Sequence, residues 1–229
     1  MTSRLPAIAA LLCVSLSGCS TSVAGTAAPA EQGPPVTAAT LPSLLLSASD
    51  VGAAMSSDDI AVTRDVDRIW NDSARLDDVN CLAIAGAAQE AVYADSGWTA
   101  THSQVLREPP TSPSWSHYAV QAVVLFPTRQ ATADFYGASR ASWAKCSNRE
   151  LTYPQPLGPE QVWSVGQIST DRDVLAVSRT EQSPERWGCQ RALTVHGNVA
   201  VDIEACSLDG TPTAAAALAR QITNRMPAA

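Results

Sequence analysis

The chain has 229 residues, a formal net charge of −7 and 45% hydrophobic residues. An acidic surface argues against binding to nucleic acid, and against an electrostatic hold on anionic lipid, since both require a positive face. The length suits one domain with a substantial core behind a leader and a linker.

In chain order, the first element is MTSR with one positive charge at Arg4, then an uncharged apolar run from Leu5 to Gly18. That run is shorter than the roughly 20 residues a membrane-spanning helix needs. It matches the apolar region of a signal peptide. It closes as Leu16-Ser17-Gly18-Cys19, which resembles the lipobox of bacterial lipoproteins. The resemblance implies cleavage before Cys19 and acylation of that cysteine. A plain secretory peptide with a chance cysteine is the competing reading. Two or more acyl chains hold a protein stably, so the expected location is the outer face of the cell membrane, lipid-anchored. Residues 20–40 are small, Thr- and Pro-rich and lack a periodic apolar face. Such a stretch offers too little burial to offset its ordering entropy and reads as a tether reaching about 25 Å. The expected organisation is residues 1–18 as signal peptide, 19–40 as lipidated cysteine and tether, and 41–229 as the folded domain.

Within that domain, SASDVGAAM (47–55) predicts a short helix capped by Ser47 or Ser49. IAVTRDVDRIW (60–70) partly alternates and predicts a strand. NCLAIAGAAQEAVYAD (80–95) is alanine-rich and predicts one helix capped by Asn80. ATHSQVLREP and SHYAVQAVVLFP predict two strands around a proline-rich connection, with AVQAVVLF buried. Thr128 is placed to cap a helix that carries Phe135, Ser139 and Trp143 and ends near Cys146. QVWSVGQIST and DVLAVSRTEQ predict a strand pair around residues 171–173. The chain ends in a turn at Asp209-Gly210 and a helix with Thr211 as cap, Pro212 at its first position, and Leu218, Ile222 and Met226 on one face. The expected class is α+β: an antiparallel sheet with helices packed mainly on one face, and two disulfides.

Cys13 falls within the signal peptide. The remaining four cysteines, Cys81, Cys146, Cys189 and Cys206, point to two disulfides in an exported chain. CQRALTVHGNVAVDIEAC (189–206) reads as a hairpin. A two-residue loop at Gly197-Asn198 sets Cys189 opposite Cys206 and Arg191 opposite Glu204. It also puts Leu193 and Val195 on the other face from Val199, Val201 and Ile203. A three-residue loop, His196 to Asn198, unites those five and displaces the cysteines by one, which a bulge corrects. Either loop makes Cys189–Cys206 local and leaves Cys81–Cys146 as a long-range bridge. A zinc site is the competing use of the thiols, but no C-x₂₋₄-C pair is present.

No G-x-S-x-G, H-E-x-x-H, P-loop or G-x-G-x-x-G motif occurs, and no cofactor or metal is implied. His102, His117 and His196 are the only histidines. Six Trp stand against two Phe; indoles suit a binding cleft, but core packing is the commoner role for any one of them. Trp115, His117, Tyr118 and Trp163 are the candidate ligand-binding residues. Arg107 and Arg129 are candidates to meet an anion or simply to be solvated.

The lipobox, the Thr/Pro tether, LLLSASDVGAAM, Trp143-x₂-Cys146 and WGCQRALTVHGNVAVDIEAC (187–206) together resemble the extracellular sensor domain of the PknH-type mycobacterial Ser/Thr kinases. The resemblance spans residues 41 to 226. It implies an α+β domain with those two disulfides and a cleft for an extracellular ligand. Unlike those kinases, this sequence carries no kinase motif and no transmembrane run. The expected function is a non-catalytic envelope lipoprotein whose cleft binds a small molecule or envelope fragment. A module docking on an envelope protein or sensor kinase is the alternative, and an envelope hydrolase a third.

Overall fold

The computed structural model describes residues 36–109, 116–184, 186–208 and 214–227. Cys19, the signal peptide, most of the tether, Trp115, and the turn and cap expected at 209–212 lie outside the described residues.

The first elements are helices α1 (Leu41–Leu44) and α2 (Ala48–Met55), then strand β1 (Ala61–Val66). Ser47 caps α2 as its spacing predicts: its hydroxyl accepts from the Asp50 amide, and the Asp50 carboxylate accepts from Ser47. Next come α3 (Leu82–Ala85) and α4 (Glu90–Tyr93), where one helix was expected. Strands β2 (Ala100–Arg107) and β3 (His117–Leu125) precede the long helix α5 (Arg129–Ala144), whose N-cap Thr128 accepts from the Ala131 amide. Then follow β4 (Glu150–Tyr153), which the sequence did not announce, β5 (Gln161–Val165), β6 (Ser169–Asp171) and β7 (Val174–Glu181). Strands β8 (Trp187–His196), β9 (Val199–Leu208) and helix α6 (Ala214–Thr223) end the domain.

All strand pairs are antiparallel, in the order β1-β2-β3-β9-β8-β7-β5-β4, with β6 on β7. The β8–β9 hairpin uses the two-residue loop: Cys189 faces Cys206 and Arg191 faces Glu204, with Gly197 at φ 56°. Of the apolar residues that this register sends to opposite faces, Leu193, Val199, Val201 and Ile203 are buried and Val195 is half-buried, because helices cover both faces rather than mainly one. On one face α1, α2 and α6 bring Leu41, Val51, Met55, Leu218 and Ile222 onto Val123, Val199, Val201 and Ile203. On the other, α3, α4 and α5 bring Leu82, Ile84, Tyr93, Phe135 and Trp143 onto Leu175, Val177, Leu193 and Ala200. Strand β9 is therefore buried along both edges of its pleat, and each large apolar side chain so placed contributes about 1.5–3 kcal/mol.

Both disulfides pair as the spacing predicts, Cys81–Cys146 and Cys189–Cys206. The sulfurs bonded to each other are not free thiolates, so the zinc reading has no ligand set here. No single helix among the described residues is long and apolar enough to cross a membrane.

Candidate functional site

The break in the expected 80–95 helix lies at a concave feature of the domain. It starts from four charges that the β-register places on one face of the sheet. Asp202 and Glu204 alternate on β9, Arg191 lies on β8, and Arg179 on β7 faces Cys189. All four are buried. The ion pairs run diagonally: Arg191 to Asp202 at 2.6 Å, and Arg179 to Glu204.

Unpaired buried charges are expensive, so each guanidinium takes further acceptors. Arg179 donates to the Ile84 carbonyl, and Arg191 to the carbonyls of Ala83 and Ile203. Those of Ala83 and Ile84 are C-terminal carbonyls of α3, which a helix leaves without internal partners. Two arginines thus cap α3 from below and fix where it ends. The chain then turns through Ala88 at φ 48°. The Ala88 amide donates to Asp202 at 2.8 Å and the Tyr93 hydroxyl at 3.0 Å. Burial, then the Asp202 charge, push the Tyr93 phenol well above its usual range and keep it a donor. The Nε atoms of Arg179 and Arg191 are buried without partners. Alanine propensity favoured one continuous helix; the buried carboxylate and arginines need carbonyls and an amide that only a broken helix presents.

Helix α5 lies along this segment. Trp143 packs under the Arg191 guanidinium, 5.4 Å from its ring centre. The Cys81–Cys146 bridge joins the start of the segment to the end of α5. Toward the other end Tyr93 stacks on Phe135 with ring centres 4.5 Å apart. Between these two ties lies an open cleft of about 740 Å³. Ala83, Val92, Phe135 and Ala138 supply apolar lining, and Asn80, Ser139 and Ser142 supply polar groups.

The candidate ligand residues of the sequence lie elsewhere. His117 is half-buried, its Nδ1 2.6 Å from Glu108. Burial alone would raise the Glu108 carboxyl, but hydrogen bonds from the His117 side chain and backbone hold it at about 2. Tyr118 is half-buried against the core on the α5 face, and burial with the Glu204 charge raises its phenol. Trp163 is buried, its ring 5.1 Å from the Arg179 guanidinium carbon and 6.1 Å from Tyr153. None of the three lines the cleft. Arg129 is exposed at the start of α5, and Arg107 is half-buried at the end of β2.

The histidines also bear on hydrolysis, which needs a serine and a carboxylate on opposite ring nitrogens. His117 has Ser116 and Glu108 on the same nitrogen, Nδ1. Both nitrogens of His102 face aspartates, Asp67 at 2.5 Å and Asp65 at 2.9 Å. His196 meets the Pro227 carbonyl through Nε2. Among the described residues no histidine is set as a triad base.

Among the described residues the large apolar side chains that are exposed, Val62, Val79, Trp98 and Leu157, do not gather. Val62 is on the edge strand β1, and Leu157 follows β4 at the opposite edge. Val79 lies on the cleft, and Trp98 precedes β2.

Comparison with known proteins agrees with this architecture. The family model described as the PknH-like extracellular domain matches residues 36–225. The serine/threonine-protein kinases PknH of Mycobacterium bovis and Mycobacterium tuberculosis are each 29% identical over 178 residues, 78% of this chain. The chain spans 28–29% of the length of those kinases. The crystal structure of the extracellular domain of PknH from Mycobacterium tuberculosis superposes with a TM-score of 0.78. It is 28% identical, and the match covers 84% of this chain and 97% of that one.

Proposed function

The chain belongs to the PknH-like extracellular domain family, and from that membership we propose that it is a non-catalytic binding protein of the cell envelope that captures a small molecule or envelope fragment. The cleft between residues 79–96 and α5 carries the reading. It is about 740 Å³, within the range of sites for small ligands. Its walls are tied by a disulfide, an aromatic stack and an arginine that touches both, so little ordering cost remains to be met on binding. A docking module is less well supported, because the exposed apolar side chains are scattered rather than gathered. The Leu16-Ser17-Gly18-Cys19 sequence supports acylation at Cys19, holding the domain at the extracytoplasmic face.

Native mass spectrometry of the protein purified from its host's envelope tests the capture reading. A bound small mass released on denaturation supports it. An empty protein that gains no thermal stability from envelope extracts overturns it.

A further inference from the structure

The charge of the ligand is written in the cleft's lining. Helix α5 presents Ala131, Asp134, Ala138, Ser139 and Ser142 to it, and the opposite wall ends in Asp95 and Ser96. Two carboxylates, Asp95 and Asp134, are both exposed on the lining, and among the described residues no Lys, Arg or His lines the cleft. Asp134 is held by the Gln130 amide at 2.8 Å, a neutral partner that leaves its charge uncompensated. Deeper, Ser139 is only 5% exposed and lines the cleft. Its hydroxyl has no hydrogen-bond partner in the protein among the described residues. The oxygen is not among the buried polar atoms left without a partner, so it opens on the cleft, where a ligand's polar group can take the place of water. Alanines and Phe135 beside it offer an apolar surface for a ring or chain.

Resting on the capture reading above, we infer that the cleft selects a small hydroxylated amine, of the amino-sugar type, over neutral and anionic analogues. Its ammonium group sits between Asp95 and Asp134, its carbon skeleton lies on the alanines and Phe135, and a ligand hydroxyl meets Ser139. An anionic ligand would bring like charge to both carboxylates and find no cation in the lining.

Three sugars of one skeleton separate the terms: glucosamine, glucose and glucuronate, titrated calorimetrically into the full chain. An ammonium beside partly exposed carboxylates gains up to about fivefold in affinity per carboxylate. Glucosamine is expected to bind more tightly than glucose, and glucose more tightly than glucuronate. Asp95→Asn with Asp134→Asn should reduce glucosamine to the affinity of glucose; asparagine tolerates the left-handed backbone at Asp95 (φ 59°). Ser139→Ala should weaken glucosamine and glucose alike. Equal binding of the three sugars, a preference for glucuronate, no binding of glucosamine, or an unchanged preference in the double variant overturns the inference. An anionic mass released from the native protein would overturn the amine assignment while leaving the capture reading intact; an empty protein would remove both.

Discussion

Replacing both Cys81 and Cys146 by alanine removes the tie between the two walls of the cleft. The bridge closes a 65-residue separation, for which the loss of unfolded-chain entropy is worth about 4 kcal/mol. Cys189–Cys206 closes only 17 residues, worth about 3 kcal/mol, between strands already paired in a ladder. All four cysteines are at most 5% exposed, so the packing lost on going to alanine is similar in the two double variants. Their difference isolates the loop term, about 1 kcal/mol. Urea unfolding followed by tryptophan fluorescence measures it, and Trp143, next to Cys146 in the same core, is a local reporter. The Cys81/Cys146 variant should lose about 10–15 °C in Tm and should bind glucosamine more weakly than the Cys189/Cys206 variant. If the short-loop variant is equally or more destabilised, the loop argument fails. If both variants bind alike, the bridge does not hold the cleft.

Asp202→Asn leaves the Arg191 guanidinium buried without its carboxylate and should cost about 3–5 kcal/mol in urea unfolding. Combined with Arg191→Met, the loss should be smaller than the sum of the two single losses. Glu108 is held at about 2 against 4.5 for its ordinary value, so its contribution is present above pH 4.5 and is lost as pH falls from there through about 2. Glu108→Gln should flatten that acid limb, worth about 3 kcal/mol at most, in stability measured against pH. Gly52→Ala should destabilise α2 in thermal melts despite alanine's better helix propensity, because a methyl there meets the Ser57 carbonyl oxygen. Cys19→Ala should move the protein from the membrane to the soluble fraction and remove any acyl mass, as fractionation and intact-mass measurement will show.

Local rules made much of the domain legible. The Ser47 and Thr128 caps, the buried apolar run of β3, the hairpin pattern of β8 and β9, and the cysteine spacing depend on neighbours in the chain, and those elements formed where the residues place them. The hairpin loop was ambiguous in the sequence because one buried face was assumed; burial of both faces makes the two-residue loop consistent with its apolar residues. Strand β4 escaped notice because Glu150–Tyr153 is only four residues and owes its pairing to β5.

The cleft was not legible. Residues 80–95 have the composition of one helix, and Gly86, at the C-cap after Ala85, is a single weak local stop signal within it. What fixes the break are Arg179, Arg191 and Asp202, about a hundred residues away in sequence, which complete their hydrogen bonds with the carbonyls of Ala83 and Ile84 and the Ala88 amide. Trp143 and Trp163 took the core role that is the commoner one for an indole, each lying over an arginine. Caps, alternation and cysteine spacing settled the elements and the bridges, since those act over a few residues or by elimination. The tertiary structure decided where the helix breaks, because a buried charge must find its partners wherever in the chain they lie.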